Sequence, residues 1–307
     1  KFRQLLGATA KHPAMLVYLD NWRNTAPGSP GAKGQFQGLN ENYARELLEL
    51  HTLGVNGGYT QKDIIELAKI LTGWGLFQPP QKAPTQDGFY FEEARHDFSN
   101  KTFLGHSIKG SGIEEGEEAL NILARHPSTA QHISYKLVQN FVSDNPPNSL
   151  VQKLAKTFLD SDGNIATVLQ TLFKSDEFWQ PNVYQTKFKT PYRYIVSVMR
   201  VSGTVTNFDS LDGILNQLGM PLYGCPSPDG YKNIQSAWLN PDAMVRRSSL
   251  SVPLSGGLLQ DGKPIDVAFL IETLGNNLSP KTRSILEKSD PNLRGALILG
   301  SPEFMMY

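Results

Sequence analysis

Four times in this 307-residue chain a capping side chain is followed by proline: Thr190-Pro191, Asn240-Pro241, Ser279-Pro280 and Asp290-Pro291. Proline suits the first helical position because the N–H it lacks has no intrahelical partner there, while the preceding side chain accepts from a free amide. These pairs therefore predict helix starts. Ser128 to Gln131 reads as a capping box, and Thr60 to Asp63 as a weaker one. Apolar stripes at helical spacing follow, in Ile64–Leu71, Ile133–Phe141, Leu150–Leu159, Ile165–Phe173, Tyr194–Val201 and Val267–Leu274. About ten helices are expected by this periodicity, with almost no sustained alternation of period two.

The exception lies between Asp87 and Ile108. Asp87-Gly88 is a turn dipeptide, and Phe89-Tyr90-Phe91 and Lys101-Thr102-Phe103-Leu104 flank a polar Phe98-Ser99-Asn100 connection. That pattern predicts a small β-hairpin insert, which must lean on the helices because two strands are marginal alone. Irregular stretches are expected at Thr25–Gly38, Gln78–Thr85 and Gln217–Tyr231. None separates segments of different composition, so residues 1–307 read as one all-α, multi-helical domain with a hairpin insert near 87–108.

Balance of charge excludes one class of function. With 29 basic and 29 acidic residues, the chain lacks the surplus of Lys and Arg that phosphate backbones require, so no nucleic-acid partner is expected. The lone Cys225 can form no internal bridge and belongs to no zinc-type cluster. Apolar runs such as Val267–Ile271 fall far short of the roughly 20 residues that span a bilayer. Neither a phosphate-cradling glycine loop nor a Gly-x-Ser-x-Gly elbow is present, so no nucleotide cofactor is expected. Asp160 to Asn164 fails as a calcium loop, because its glycine comes early and position twelve is Thr171; Asn164 reads as a helix cap.

The densest chemistry lies in Asn40-Glu41-Asn42-Tyr43-Ala44-Arg45-Glu46-Leu47-Leu48-Glu49-Leu50-His51-Thr52-Leu53-Gly54. Asn40 or Asn42 caps this helix and Gly54 ends it. Glu41, Arg45 and Glu49 fall on one line at i, i+4, i+8, as a structural ion-pair row requires. Glu46, Glu49, His51, His96 and Asp97 form a candidate acid–base or divalent-metal set, since carboxylates and imidazoles serve both purposes. The same groups also suit a buried network, with Lys101 neutralising Asp97. A catalytic reading requires at least three of the five to converge in one cleft. Separately, Tyr223, Asp229, Tyr231 and Trp238 place aromatics on rigid turns, a candidate binding surface or a lock over the core.

This sequence resembles the domain-of-unknown-function family 1800 of bacterial proteins. The block from Asn40 to Gly54 carries the likeness, with Gly58-Tyr59-Thr60, Leu71-Thr72-Gly73-Trp74 and His12-Pro13-Ala14-Met15. His96-Asp97 with Lys101, Pro226-Ser227-Pro228-Asp229-Gly230 with Trp238-Leu239 and Arg247, and the closing Ser301-Pro302-Glu303-Phe304 extend it. Tyr231 departs from the tryptophan expected after Asp-Gly. The resemblance implies that the chain is the C-terminal two-thirds or so of a longer protein. It also implies export to the periplasm, cell surface or exterior, often by a twin-arginine-type signal. Two partners are implied: a cleaved N-terminal segment of the same protein, and a protein of the domain-of-unknown-function family 1501. The resemblance assigns no activity or catalytic residue. Two expectations follow: a binding or assembly protein engaging a polymer or partner protein, or an extracytoplasmic metal-assisted hydrolase using the Glu/His/Asp set.

Overall fold

Each predicted proline cap starts a helix where the side chain before it accepts an amide. The structure, a computed structural model, describes residues 1–77, 88–203 and 205–307. The chain is mostly helical and divides into two compact units, Lys1–Val138 with Pro146–Ser175 and Gln139–Asn145 with Asp176–Tyr307.

Unit 1 begins with α1 (Phe2–Lys11), α2 (Pro13–Tyr18), α3 (Glu41–Glu49) and α4 (Gln61–Ile70). Four short strands follow: β1 (Trp74–Leu76), β2 (Phe89–Phe91), β3 (Lys101–Phe103) and β4 (His106–Ile108). Then come α5 (Ile113–Arg125), α6 (Pro127–Phe141), whose last residues belong to unit 2, α7 (Asn148–Asp160) and α8 (Ile165–Phe173). Helix α3 packs on α4, α1 on α5, and α7 on α8, around buried Leu16, Leu47, Leu48, Leu67, Trp74 and Leu123. Gly116 of α5 lies so close to the Trp74 ring that a Cβ there would meet it at 2.1 Å, so only glycine permits this approach.

The expected hairpin is two separate ladders. β2 pairs antiparallel with β1, Trp74 opposite Phe91, and β3 pairs with β4, Lys101 opposite Ile108. The strand that takes β2 is a three-residue run directly after a helix, too short to show alternation. Gly73, at φ +79°, makes the entry that Glu92 N–H closes onto its carbonyl at 2.9 Å. The expected loop Gln78–Thr85 and Asp87 of the expected turn lie outside the described residues.

Unit 2 comprises α9 (Pro191–Val201), α10 (Leu211–Gln217), α11 (Gln235–Trp238), α12 (Pro241–Ser255), α13 (Val267–Leu274), α14 (Pro280–Lys288), α15 (Arg294–Leu299) and α16 (Pro302–Met305). Thr190, Asn240 and Ser279 cap α9, α12 and α14 as expected, and Asp290 caps a 3-10 turn at Pro291–Leu293. The core gathers Tyr194, Val198, Leu254, Leu270, Ile298 and Phe304. Helices beyond the ten expected are one or two turns long, such as α2, α11 and α16, and leave no readable period. The last residues run antiparallel to Lys187–Lys189, with Lys189 N–H donating to Met305 and Tyr307 N–H to Lys187.

Candidate functional site

His96 leaves a 3-10 turn at Glu93–Arg95 and enters the interior of unit 1. Its Nδ1 faces the Thr72 carbonyl at 2.8 Å, and its Nε2 faces Glu115 Oε1 at 2.9 Å. The Thr72 hydroxyl stands 3.2 Å from the same Nδ1, so both ring nitrogens have polar partners inside the unit. Phe91 and Phe98 stand edge-on to the imidazole at 5.2 and 4.8 Å.

Glu115, in the first turn of α5, also accepts from Lys101 Nζ at 2.6 Å, Ser111 N–H at 2.9 Å and Gly112 N–H at 3.0 Å. Burial alone raises its carboxyl; the donors His96, Lys101 and Gly112 outweigh that and hold it below the usual range. Lys101 also donates to the Asp97 carbonyl and lies 3.7 Å from the Asp97 carboxylate. Burial likewise raises Asp97, but the Ser99 hydroxyl and amide and the Lys101 charge bring it below its usual value. The side chains of His96, Lys101 and Glu115 have no solvent exposure at all. With these partners internal, the cluster ties β3 and α5 to the turn that follows α4.

The other members of the predicted set stand in different settings. Glu49 accepts from the Tyr59 hydroxyl at 2.6 Å and lies 3.7 Å from Arg45. Glu41 accepts from Gln61 at 2.6 Å, and Arg45 donates to the same Gln61 at 3.1 Å, so the Glu41–Arg45–Glu49 row is bridged through α4. Burial, the hydrogen bond to Glu49 and the Glu49 charge push Tyr59 up to about 12, and the charge of Glu46 adds to this. Burial and the neighbouring His132 hold His51 low. The structure therefore joins His96 to Asp97 through Thr72, and through Glu115 and Lys101, and gives Glu46, Glu49 and His51 other neighbours. Among the described residues no three His, Cys, Asp or Glu side chains are grouped to hold a metal ion.

The signature block itself secures unit 1. Asn40 Oδ1 accepts the Tyr43 N–H at 3.0 Å to cap α3, and its amide donates to Leu19 at 2.9 Å. Asn24 Oδ1 accepts the Asn40 N–H at 2.8 Å, while its own amide reaches Ala68 at 2.8 Å. Buried Tyr43 donates to the Ala10 carbonyl at 2.6 Å.

In unit 2 a cleft of about 680 Å³ is lined by Phe141, Phe178, Trp179, Tyr184, Lys187 and Tyr307. Its volume falls within the roughly 300–1,000 Å³ of small-ligand sites. Turns at Asp176–Trp179 and Gln180–Val183 carry its rings, with Pro181 preventing a helix. Trp179 is 73% exposed and Tyr184 67%. Phe178 stands edge-on to Trp179 at 5.1 Å, and the Tyr184 hydroxyl reaches Asn277 at 3.4 Å, so each exposed ring has a support. At the base, Lys187 pairs with Asp144 and donates to Asn233 at 3.0 Å. Arg193 lies 4.3 Å over the Tyr307 ring, whose hydroxyl has no partner among the described residues.

The family pattern described as Protein of unknown function (DUF1800) matches residues 1–306. The chain belongs to that family. No curated protein and no solved structure matches it.

Within this DUF1800 chain the predicted aromatic loop is tied down at Trp238 and Tyr231. Trp238 is buried and donates from Nε1 to Lys232 at 2.7 Å, and Tyr231 tilts against it at 6.1 Å while bonding Pro221 at 3.0 Å. Asp229 accepts from Ser227 at 2.5 Å and pairs with Lys232. Tyr223 stands fully exposed, in the left-handed region at φ +56°. Of these four groups, then, Tyr223 and Asp229 are exposed, Tyr231 is half-buried and Trp238 is buried. The aromatics that do form a cleft, Trp179 and Tyr184, lie outside every predicted apolar stripe, the nearest of which ends at Phe173. The available signal was Phe178-Trp179-Gln180-Pro181, large aromatics beside a proline where no helical stripe needs them.

Proposed function

We propose that this chain is an exported binding protein that engages a polymer or a partner protein through the aromatic cleft of unit 2. The carrying observation is the pair Trp179 and Tyr184, each about two-thirds exposed or more and each supported by a second side chain. Leaving such rings in water costs apolar solvation, and holding them rigid lowers the ordering cost of binding. The candidate acid–base groups favour the same reading: His96, Asp97 and Glu49 spend their polar atoms on internal partners. Export rests on the resemblance of the signature motifs, as do the two proposed protein partners, an upstream segment and a protein of family 1501.

Tryptophan fluorescence and calorimetry with a panel of soluble polysaccharides and peptides test this. The expected result is a saturable change that Trp179→Ala removes. A panel with no Trp179-dependent binding sinks the reading.

A further inference from the structure

The lining of the unit 2 cleft restricts the chemistry of what can occupy it. Lys187 is the charged residue of the lining, and it is neutralised: its side chain is 4% exposed and paired with Asp144. Among the described residues of the lining, an anionic ligand would find no free cation, and a cationic one no free carboxylate. Gln180 and Gln185 also line the cleft, and neither spends its side-chain amide on a hydrogen bond among the described residues. The buried Tyr307 hydroxyl likewise lacks a partner among them. Unengaged neutral donors and acceptors thus sit beside two aromatic faces held partly in water.

We infer that the occupant is a neutral polysaccharide strand, its sugar rings stacked on Trp179 and Tyr184 and its hydroxyls hydrogen-bonded by Gln180 and Gln185. A pyranose ring has an apolar C–H face and a polar rim, which matches aromatic platforms that are apolar on the face and wet at the edge. Amides serve the rim well because each offers both donor and acceptor to hydroxyls that need both. A fully apolar tail fits less well, since it would leave these amides without partners and bury them at a cost. An added peptide strand is also disfavoured, because the extended Lys187–Lys189 backbone already pairs with Met305–Tyr307.

This inference rests on the proposed binding role, and the test separates the two. The whole chain is titrated calorimetrically with neutral glucans and mannan, with alginate as an anionic polymer, and with aromatic-rich peptides. Neutral glycan should bind with an affinity that does not change with added salt. Trp179→Ala and Tyr184→Ala should each weaken it roughly tenfold or more, with unchanged circular dichroism, and Tyr223→Ala should leave it intact. Salt-sensitive binding of alginate alone, or peptide binding alone, overturns the glycan assignment while Trp179 dependence keeps the binding role. Glycan binding indifferent to Trp179 and Tyr184 overturns the assignment as well. Absence of Trp179-dependent binding to every member overturns both.

Discussion

At Glu115 four donors converge on one carboxylate: His96, Lys101, Ser111 and Gly112. A buried ion pair contributes little over an apolar replacement, but removing one member strands the other's charge, at about 3–5 kcal/mol. Glu115→Gln should therefore lower unfolding free energy by about that amount, read from the urea midpoint at constant slope. Adding Lys101→Met should recover part of the loss, so the double variant is less destabilised than the two single losses summed. A single-variant loss under about 1 kcal/mol would show that the charges are not desolvated as drawn. His96, Asp97 and Lys101 were legible as a group because they are neighbours in the chain. Glu115 was not: it lies in the acidic run Glu114-Glu115-Glu117-Glu118, where only the three-dimensional pairing marks one carboxylate out. Trp179 was hidden for a related reason, since an aromatic after a helix reads equally well as core.

At the scale of elements, the helix starts were mostly readable and one kind of start was not. Thr60, Asn164, Thr190, Asn240 and Ser279 cap as their residue type predicts. α6 instead begins at Pro127, and His126 Nδ1 accepts the Ser128 N–H at 3.1 Å, displacing the expected box at Ser128. His12 does the same for α2, accepting the Ala14 N–H at 3.1 Å. Histidine is uncommon as a cap because only its neutral Nδ1 can accept. Burial, with the nearby His106 charge, holds His126 below its usual value, so the neutral ring is the favoured form in the fold. A base lowered in this way contributes stability above its unfolded value near 6.5 and loses it as pH falls toward the folded value. His126→Ala should cost about 1 kcal/mol at pH 8, and His126→Asn should restore most of it. At pH 5 the gap between wild type and His126→Ala should narrow, as thermal melts at both pH values will register. An equal gap at both would mean that Nδ1 does not carry the cap.

Across the whole chain, equal numbers of acidic and basic residues leave no net charge to drive self-repulsion. Stability against pH is then set by the individual groups whose ionisation differs between fold and unfolded chain. On the acid side, His51, His126 and His132 are lowered chiefly by burial, and their contribution fades as pH falls below about 6.5. Hydrogen bonds outweigh burial for Asp63, Asp97, Glu115 and Glu117, whose contribution fades below about 4. Glu303 persists longest: burial opposes its ionisation, but Ser279 and Thr282 at the start of α14 bring it to about 2. On the alkaline side two effects oppose. Burial, then the charge of Arg247, lowers Lys189 from 10.5 to about 8, so the fold gains as pH rises between those values. Burial raises Tyr43, Tyr59, Tyr194 and Tyr307, so their contribution holds up to about 10 and is lost beyond it. The lowered Lys189 predicts that stability keeps rising past pH 8, on the alkaline side of the commoner range of about 5 to 8. Thermal melts from pH 4 to 11 should show a continued small rise past pH 8, and Lys189→Met should flatten that rise while leaving the acid limb in place. A wild-type maximum near pH 6, or a rise past pH 8 that survives Lys189→Met, would refute the assignment of that limb to the Lys189–Arg247 pair.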